Sequence, residues 1–216
     1  MDMKKTIDQD KYCEMTKNVM EAFRANVVPP NIPETQTENF LSHLSRYETV
    51  LLELARATDE MTRDDLFFSR DLFIFGSEIP MYWDMAEFKK AIKKKHVLEK
   101  NIPLQNLKDA LLYQAFDEDK LIKFMESGTV KPIYTAKVPF IQGGLVIVDG
   151  NHRAKAAINK GRRTIKGYEL NEDQFLDTMP EFSSALYKVI SNISNTFGYH
   201  RGLVDFGTYM DKLYIV

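Results

Sequence analysis

Five consecutive residues, Asp149-Gly150-Asn151-His152-Arg153, carry groups that can bind or transfer a phosphate. The carboxylate of Asp149 can accept a proton or bind a metal ion, and His152 can donate a hydrogen bond or carry a proton near neutral pH. Gly150 lets the backbone approach a ligand closely, and Arg153 can hold phosphate oxygens in a forked geometry. The motif predicts an anion site with Asp149 and His152 as candidate catalytic groups.

The segment that begins with this motif is basic, although the chain as a whole is not. Residues 149–166 contain one acidic side chain and six basic ones, which are Arg153, Lys155, Lys160, Arg162, Arg163 and Lys166. The 216 residues together carry 29 basic and 31 acidic side chains, a formal net charge of −2. A polyanion site must therefore be local, because the overall charge attracts neither nucleic acid nor an anionic membrane.

The motif lies where a buried strand is predicted to run into a helix. The run from Leu145 to Val148 is apolar and rich in β-branched residues, and a helix is predicted from about His152 to Lys160, stopping at Gly161. The free N–H groups and the positive dipole end of such a helix face the strand's exit, a geometry that binds anions. A simpler interpretation remains open, in which Asp149 only caps the helix.

Other strands and helices are predicted on both sides of the motif. Glycine and proline positions separate them, and Gly143-Gly144 favours a hairpin turn. The predicted elements are a strand at 102–107, a helix that follows Asp117 and ends at Gly128, a strand at 132–138, a strand at 145–148 and a strand at 164–170.

In this order of elements, the Gly150-x-x-Arg153-x-x-Ala156 pattern resembles the phosphate-binding motif of the ParB/sulfiredoxin superfamily. The resemblance covers residues 101–170 and implies a nucleotide-binding module with a small mixed β-sheet, whose phosphate contacts come from Gly150, Asn151, His152 and Arg153. The nucleotide implied is ATP or CTP with Mg²⁺.

Differences from the superfamily's members narrow the implied function. Sulfiredoxins resemble Gly-Cys-His-Arg here, whereas this chain has Asn151 at the position of the reactive cysteine. Chromosome-partition ParB proteins continue into DNA-binding and dimerisation regions, for which the residues after Leu170 leave little room. The motif is most similar to that of the superfamily's free serine kinases, Asp-Gly-His-His-Arg. That resemblance implies phosphoryl transfer to a small hydroxyl substrate, with a glutamate as base, for which Glu118 is the candidate.

The remaining regions are predicted to be mostly helical. Residues 1–100 contain amphipathic helices at about 8–26 and from a capping box at Thr35-x-x-Glu38 to about Ala57, separated by a stiff, proline-rich linker. A short strand is predicted at 71–76 and a helix after Asp84. Residues 171–216 are predicted as a C-terminal helical extension on the module. The fold class is therefore predicted to be α+β.

Location and partners follow from composition. The start of the chain has no apolar stretch typical of a secretory signal, and no apolar run approaches the length of a membrane span, so we expect a cytoplasmic protein without a membrane partner. Binding to DNA is expected to be weak, and the oligomeric state stays open.

A lysine-rich run, Lys89 to Lys100, is interpreted as a solvated face, with phosphate contact as the alternative.

Three functional hypotheses remain. The first is a serine kinase-like phosphotransferase or nucleotide hydrolase that uses Asp149, His152 and Glu118. The second is a non-catalytic module that senses CTP or ATP, or a DNA-associated regulator. The third is a nuclease of the same fold. The enzyme needs a carboxylate that faces the phosphates, whereas the sensor needs only the loop and a flank with two conformations.

Overall fold

The computed structural model describes residues 5–6, 9–27, 34–57, 61–62, 67–74, 77–112, 114, 116–127 and 131–216. In chain order the elements are β1 (Lys5–Thr6), α1 (Gln9–Val27), α2 (Glu34–Ala57), β2 (Met61–Thr62), β3 (Phe67–Ile74), β4 (Ser77–Asp84), α3 (Met85–Lys94), β5 (Lys100–Pro103), α4 (Lys108–Leu112), α5 (Glu118–Glu126), β6 (Ile133–Lys137), β7 (Leu145–Asp149), α6 (Asn151–Asn159), β8 (Thr164–Leu170), α7 (Glu172–Phe175), α8 (Glu181–His200) and α9 (Phe206–Asp211). The fold class is α+β, as predicted.

The chain divides into two compact units. The first comprises Met1–Tyr82 and Met179–Val216, and the second comprises Trp83–Thr178. No helix among the described residues is both long enough and apolar enough to cross a bilayer.

A four-stranded mixed sheet organises the second unit, in the order β5-β8-β6-β7. Strand β8 pairs antiparallel with β5 and parallel with β6, while β6 and β7 form an antiparallel hairpin. The hairpin turn contains Gly143 and Gly144, both at positive φ, as the sequence predicts. Helix α6 packs against the sheet through small side chains, Ala154 and Ala157, which share an apolar cluster with Ile133. This packing fixes the end of β7 against the start of α6.

The first unit contains a helical hairpin and the C-terminal helices. Helices α1 and α2 pack closely, and α2 also packs on α8, which contacts α9. Apolar positions at helical spacing face inward, so that Phe23, Leu44, Leu51 and Ile190 are fully buried. Amphipathic periodicity therefore accounts for these helices.

Several predicted boundaries hold. Helices α3 and α5 begin at the predicted positions, directly after Asp84 and Asp117. Strand β8 has the predicted bounds, and Gly161 ends α6 at a φ of 68°. These positions are set by local chemistry, which a sequence reveals directly.

Some predicted boundaries are wrong. The strand expected at 102–107 ends at Pro103 and continues as a 3-10 turn, Leu104–Leu107, whose Leu104 and Leu107 are buried in the core. The strand expected at 71–76 is Phe67–Ile74, and α2 starts at Glu34, before the expected cap at Thr35. The expected linker at 28–33 and helix stop at Gly128 lie outside the described residues.

Candidate functional site

Gly150 joins β7 to α6 in a conformation that other residues rarely adopt. Its φ is 106°, and a Cβ at this position would lie 2.7 Å from Ile133 Cγ2 and 2.9 Å from Arg153 Nη2. Gly150 is the N-cap of α6 and supplies no side-chain hydrogen bond to the first turn. Asp149 is not the N-cap residue and does not supply this hydrogen bond either. The interpretation of Asp149 as a simple helix cap is therefore wrong. The first N–H groups of α6 have no acceptor within the helix and stay open to an anion.

Arg153 lies beneath this turn and holds it together. Its side chain is only 10% exposed, and its Nη2 lies 3.0 Å from Asp149 Oδ2. Its Nη1 donates a 2.7 Å hydrogen bond to the carbonyl oxygen of Pro132, just before β6. One guanidinium thus ties the end of β7, the start of α6 and the entry to β6 together. The hydrogen bond to Pro132 uses one of the five N–H groups, and the ion pair with Asp149 lies at Nη2.

Asp149 keeps part of its carboxylate open. Its side chain is 39% exposed, and only Oδ2 lies in the ion pair with Arg153. The second oxygen lies outside this ion pair and can accept a proton or bind a cation. Asp149 thus has two features: one oxygen is paired with Arg153 within the loop, and the other is an open acidic oxygen.

His152 connects the start of α6 to the start of α5. Its Nε2 accepts a 3.0 Å hydrogen bond from the backbone N–H of Asp117, and its ring meets Phe116 edge-on with centroids 5.6 Å apart. Because Nε2 accepts, the neutral imidazole carries its proton on Nδ1. Two helix starts therefore meet at His152, which the sequence did not reveal, because Asp117 and His152 are 35 residues apart.

Asp117 caps α5 with its side chain. Its Oδ1 accepts from the N–H of Lys120 at 3.0 Å. The pKa of Asp117 is lowered, first by this backbone hydrogen bond and then by the Lys120 ammonium, with a smaller contribution from His152. Glu118, the candidate base, follows as the first residue of α5 and is exposed. The structure thus places the Glu118 backbone beside the residue that binds His152.

Asn151 has an unusual amide. Its Oδ1 is buried and meets no hydrogen-bond donor among the described residues. A buried polar atom without a partner costs free energy, on the order of 1–3 kcal/mol. This unsatisfied oxygen lies within the predicted phosphate loop.

Tyr134 is a neighbour that the sequence did not identify. It pairs with Asp149 across the β6–β7 hairpin and stacks on Tyr168 with centroids 5.7 Å apart. Burial raises the pKa of Tyr134, while Arg153 opposes the rise and Asp149 adds to it. The phenol is therefore a protonated group within electrostatic range of the Asp149–Arg153 pair. The β-branched and aromatic residues around Tyr134 predicted a strand. They did not indicate that Tyr134 would lie opposite Asp149.

The lysine-rich run is largely occupied by intramolecular contacts. Lys90 pairs with Glu87, Lys95 with Asp177, and Lys100 with Glu169, while Lys89 lies 5.5 Å from the ring centroid of Tyr134. Exposed pairs of this kind contribute little to stability, but they offset the positive charge that a polyanion would meet.

No protein-family model matches this chain, and no curated protein sequence matches it. Among solved structures, the chain is similar to a sulfiredoxin from Arabidopsis thaliana, with 22% identity and a TM-score of 0.29. The match covers 35% of this chain and 90% of the sulfiredoxin.

Proposed function

We propose that the turn from β7 to α6 binds the phosphates of a nucleotide, ATP or CTP. The observation that carries this proposal is Gly150 at a φ of 106°, which leaves the start of α6 without a side-chain cap. An uncapped helix start offers backbone N–H groups and a positive dipole end to an anion. The similarity of the Gly150-x-x-Arg153-x-x-Ala156 pattern to the ParB/sulfiredoxin phosphate motif supports the same ligand.

Arg153 acts in this proposal mainly by shaping the loop. Its bonds to Asp149 and to the Pro132 carbonyl keep the backbone of the turn in place. Its remaining N–H groups supply positive charge to the phosphates, and a bound nucleotide competes with Asp149 for the guanidinium. Nucleotide binding therefore depends on Arg153 both through the loop and through charge.

Mg²⁺ fits the donor chemistry of the loop. The described residues hold no group of three or more His, Cys, Asp or Glu side chains able to bind a metal on their own. Magnesium usually takes one or two carboxylates and completes its shell with water and substrate phosphates. Asp149 would supply the carboxylate, with the Asn151 amide oxygen as a further oxygen donor. When bound, the ion would neutralise charge on the phosphates.

For the reaction, we propose transfer of the terminal phosphoryl group to the hydroxyl of a small substrate such as serine. The hydroxyl oxygen forms the new P–O bond, the bond to the bridging oxygen breaks, and the nucleoside diphosphate leaves. Asp149 takes the hydroxyl proton through its open oxygen where that oxygen does not hold the ion, and Glu118 is the base where it does. With water as the acceptor, the same groups give nucleotide hydrolysis.

A second candidate function is nucleotide sensing without catalysis. It is favoured by the engagement of the catalytic candidates in bonds within the fold, Asp149 with Arg153 and His152 with the Asp117 N–H. Groups bound in this way can hold a loop whose conformation responds to a ligand. Both functions share the phosphate loop and differ in turnover.

Binding is tested by thermal unfolding of the full chain with ATP, CTP and GTP, each with and without Mg²⁺. A nucleotide present at one hundred times its Kd stabilises the folded state by about 2.7 kcal/mol. We expect stabilisation by ATP or CTP that is larger with Mg²⁺. Unchanged unfolding temperatures with all three nucleotides would remove the proposal.

Turnover separates the enzyme from the sensor. Nucleoside diphosphate release is followed with and without free serine for the wild type, Asp149→Asn, Glu118→Gln and His152→Gln. Loss of the proton-accepting group lowers the rate by a factor of about 10² to 10⁴, while nucleotide affinity changes far less. Tight binding without turnover in the wild type would favour the sensor, and turnover that survives all three substitutions would exclude these residues as catalysts.

A further inference from the structure

The first unit contains a cavity of about 310 Å³ that no part of the proposed function uses. It lies among α2, α8 and α9, and its apolar wall includes Phe40, Ile193 and Leu213. Tyr199 and Tyr209 also line it and stack on each other, with centroids 5.0 Å apart and planes at 14°. Pockets for small molecules start at about this volume and are mostly apolar and aromatic.

The volume sets the size of a ligand. An engineered apolar cavity of about 150 Å³ holds benzene. A cavity of about 310 Å³ therefore has room for a two-ring system, and its wall of aromatic side chains favours a flat one. The parallel faces of Tyr199 and Tyr209 strengthen that preference, because aromatic rings pack best against flat surfaces.

One phenol group of the cavity wall, that of Tyr47, is available as a hydrogen-bond donor. The Asn192 amide nitrogen donates to the Tyr47 oxygen at 3.1 Å. The Tyr47 oxygen is thus an acceptor already, and within the described part of the chain its O–H has no acceptor of its own. Thr196 gives its single hydroxyl hydrogen to the Asn192 carbonyl oxygen at 2.8 Å, so in its 3.4 Å contact with Tyr209 the tyrosine O–H is the donor. Burial raises the pKa of Tyr47, which keeps its proton in place.

The described wall carries little charge. Its only titratable groups besides the tyrosines are the imidazoles of His43 and His200, and no Asp, Glu, Lys or Arg side chain lines the cavity. A carboxylate or ammonium group on a ligand would find no opposite charge there, except on a protonated histidine. The cavity therefore suits an uncharged ligand that accepts hydrogen bonds.

We propose that this cavity is a binding site for a planar, uncharged, bicyclic heteroaromatic molecule whose ring atoms accept hydrogen bonds. The ligand lies on an outer face of the stacked Tyr199–Tyr209 pair and accepts from the hydroxyl group of Tyr47. The site belongs to the first unit alone, so its existence does not depend on nucleotide binding in the second unit.

The test uses two probes of similar size and opposite hydrogen-bonding character. Quinoline has a ring nitrogen that only accepts, whereas indole has an N–H that only donates. Saturation-transfer NMR and titration with the full chain measure both affinities. One hydrogen bond contributes about 0.5–1.5 kcal/mol, which corresponds to a preference for quinoline of roughly twofold to tenfold. Equal affinities, or no binding of either probe up to its solubility, would overturn the proposal.

Variants locate the binding. His43→Trp places a large ring at the cavity, and Ser42→Trp is its control, because Ser42 is exposed on the same helix and does not line the cavity. We expect at least a tenfold loss of quinoline affinity in the first variant and little change in the second, with unfolding temperatures measured for both. Tyr47→Phe should reduce the preference for quinoline over indole. Unchanged binding in His43→Trp, with the fold intact, would place the probe elsewhere and refute the site.

Discussion

Helices α5 and α6 start beside each other in the second unit, but their first turns are completed differently. Asp117 closes the start of α5, because its carboxylate accepts from the Lys120 N–H. Its own N–H is also used, since it donates to His152. Gly150 has no side chain and leaves the start of α6 open. A helix start that its own chain satisfies serves the fold, whereas an open one can serve a ligand.

The same contrast appears at other helices. Asp84, Asn171 and Asp205 each accept a backbone N–H in the first turn of α3, α7 and α9. Helix α8 follows Pro180 and has no side-chain cap either, but no basic segment resembling 149–166 follows it. An open helix start becomes a candidate site at α6 because a glycine turn and a basic segment accompany it.

The largest effect is expected from closing the α6 start with a Cβ. Gly150→Ala places a methyl group 2.7 Å from Ile133 Cγ2 and 2.9 Å from Arg153 Nη2, at a φ of 106°. Strain and overlap together should cost about 3 kcal/mol of unfolding free energy. Because the displaced turn carries the N–H groups, nucleotide affinity should fall at least tenfold. Urea unfolding and nucleotide titration measure the two quantities.

Gly161→Ala is the matched control, at the other end of the same helix. Gly161 also has a positive φ, 68°, but a Cβ there meets nothing within 4 Å. Only the conformational cost applies, about 1 kcal/mol, and nucleotide affinity should be unchanged. If both alanine variants lost the same stability and the same affinity, the close contacts at Gly150 would have no special role.

The second prediction concerns the charge beneath the open turn. Arg153→Ala removes the partner of Asp149 and leaves the Pro132 carbonyl without its donor. The expected loss is about 2 kcal/mol, discounted because Asp149 is 39% exposed and partly screened by water. Nucleotide affinity should fall as well, since the loop loses both its shape and its charge.

Two variants separate the effect of Arg153 on the shape of the loop from the effect of its positive charge. Arg153→Lys keeps the charge but cannot bond to both partners in the same way, so it should recover part of the affinity and less of the stability. Lys94→Ala removes an exposed charge on α3 and should leave both quantities within about 0.5 kcal/mol of wild type. An Arg153→Ala variant with wild-type nucleotide affinity would show that phosphate binding does not involve this loop.

Sequence reasoning located the α6 turn because its information is local. A β-branched run, a glycine and an alanine-rich helix follow each other without interruption, and each type has one preferred conformation there. The caps at Asp84 and Asp117 were found for the same reason. The strand expected to continue past Pro103 was wrong because Leu104 and Leu107 are buried in a 3-10 turn, and apolar content does not distinguish that turn from a strand.

Contacts between distant residues could not be predicted. The bond from the Asp117 N–H to His152 and the bond from Arg153 to the Pro132 carbonyl depend on how the sheet brings separate segments together. Residue types alone predicted that Arg153 would bind a phosphate. They did not predict that the Arg153 side chain would be buried beneath the turn. The cavity lined by Tyr47 and Tyr209 likewise needs helices that are far apart in the chain.

The smallest effect is expected at the closed helix start, where Asp117→Asn removes a charge but keeps a good N-cap. The fold lowers the pKa of Asp117, so its ionised form is bound more favourably in the folded state than in the unfolded state. That contribution is complete above the unfolded pKa of about 3.9 and disappears as the pH falls through the lower, folded pKa. The wild type should therefore unfold at a slightly higher temperature than Asp117→Asn at pH 7. The difference should close below about pH 4.

Asp119→Asn is the control, because Asp119 is also in the first turn of α5 and exposed, but does not cap the helix. Its unfolding temperature should follow wild type more closely over the same pH range. Nucleotide affinity at pH 7 should be unchanged in both variants, since the N–H groups proposed to bind phosphate belong to α6 and not to α5. If Asp117→Asn weakened nucleotide binding tenfold while the unfolding temperature stayed near wild type, the α5 start would belong to the ligand site. The distinction between a closed structural helix start and an open binding one would then fail.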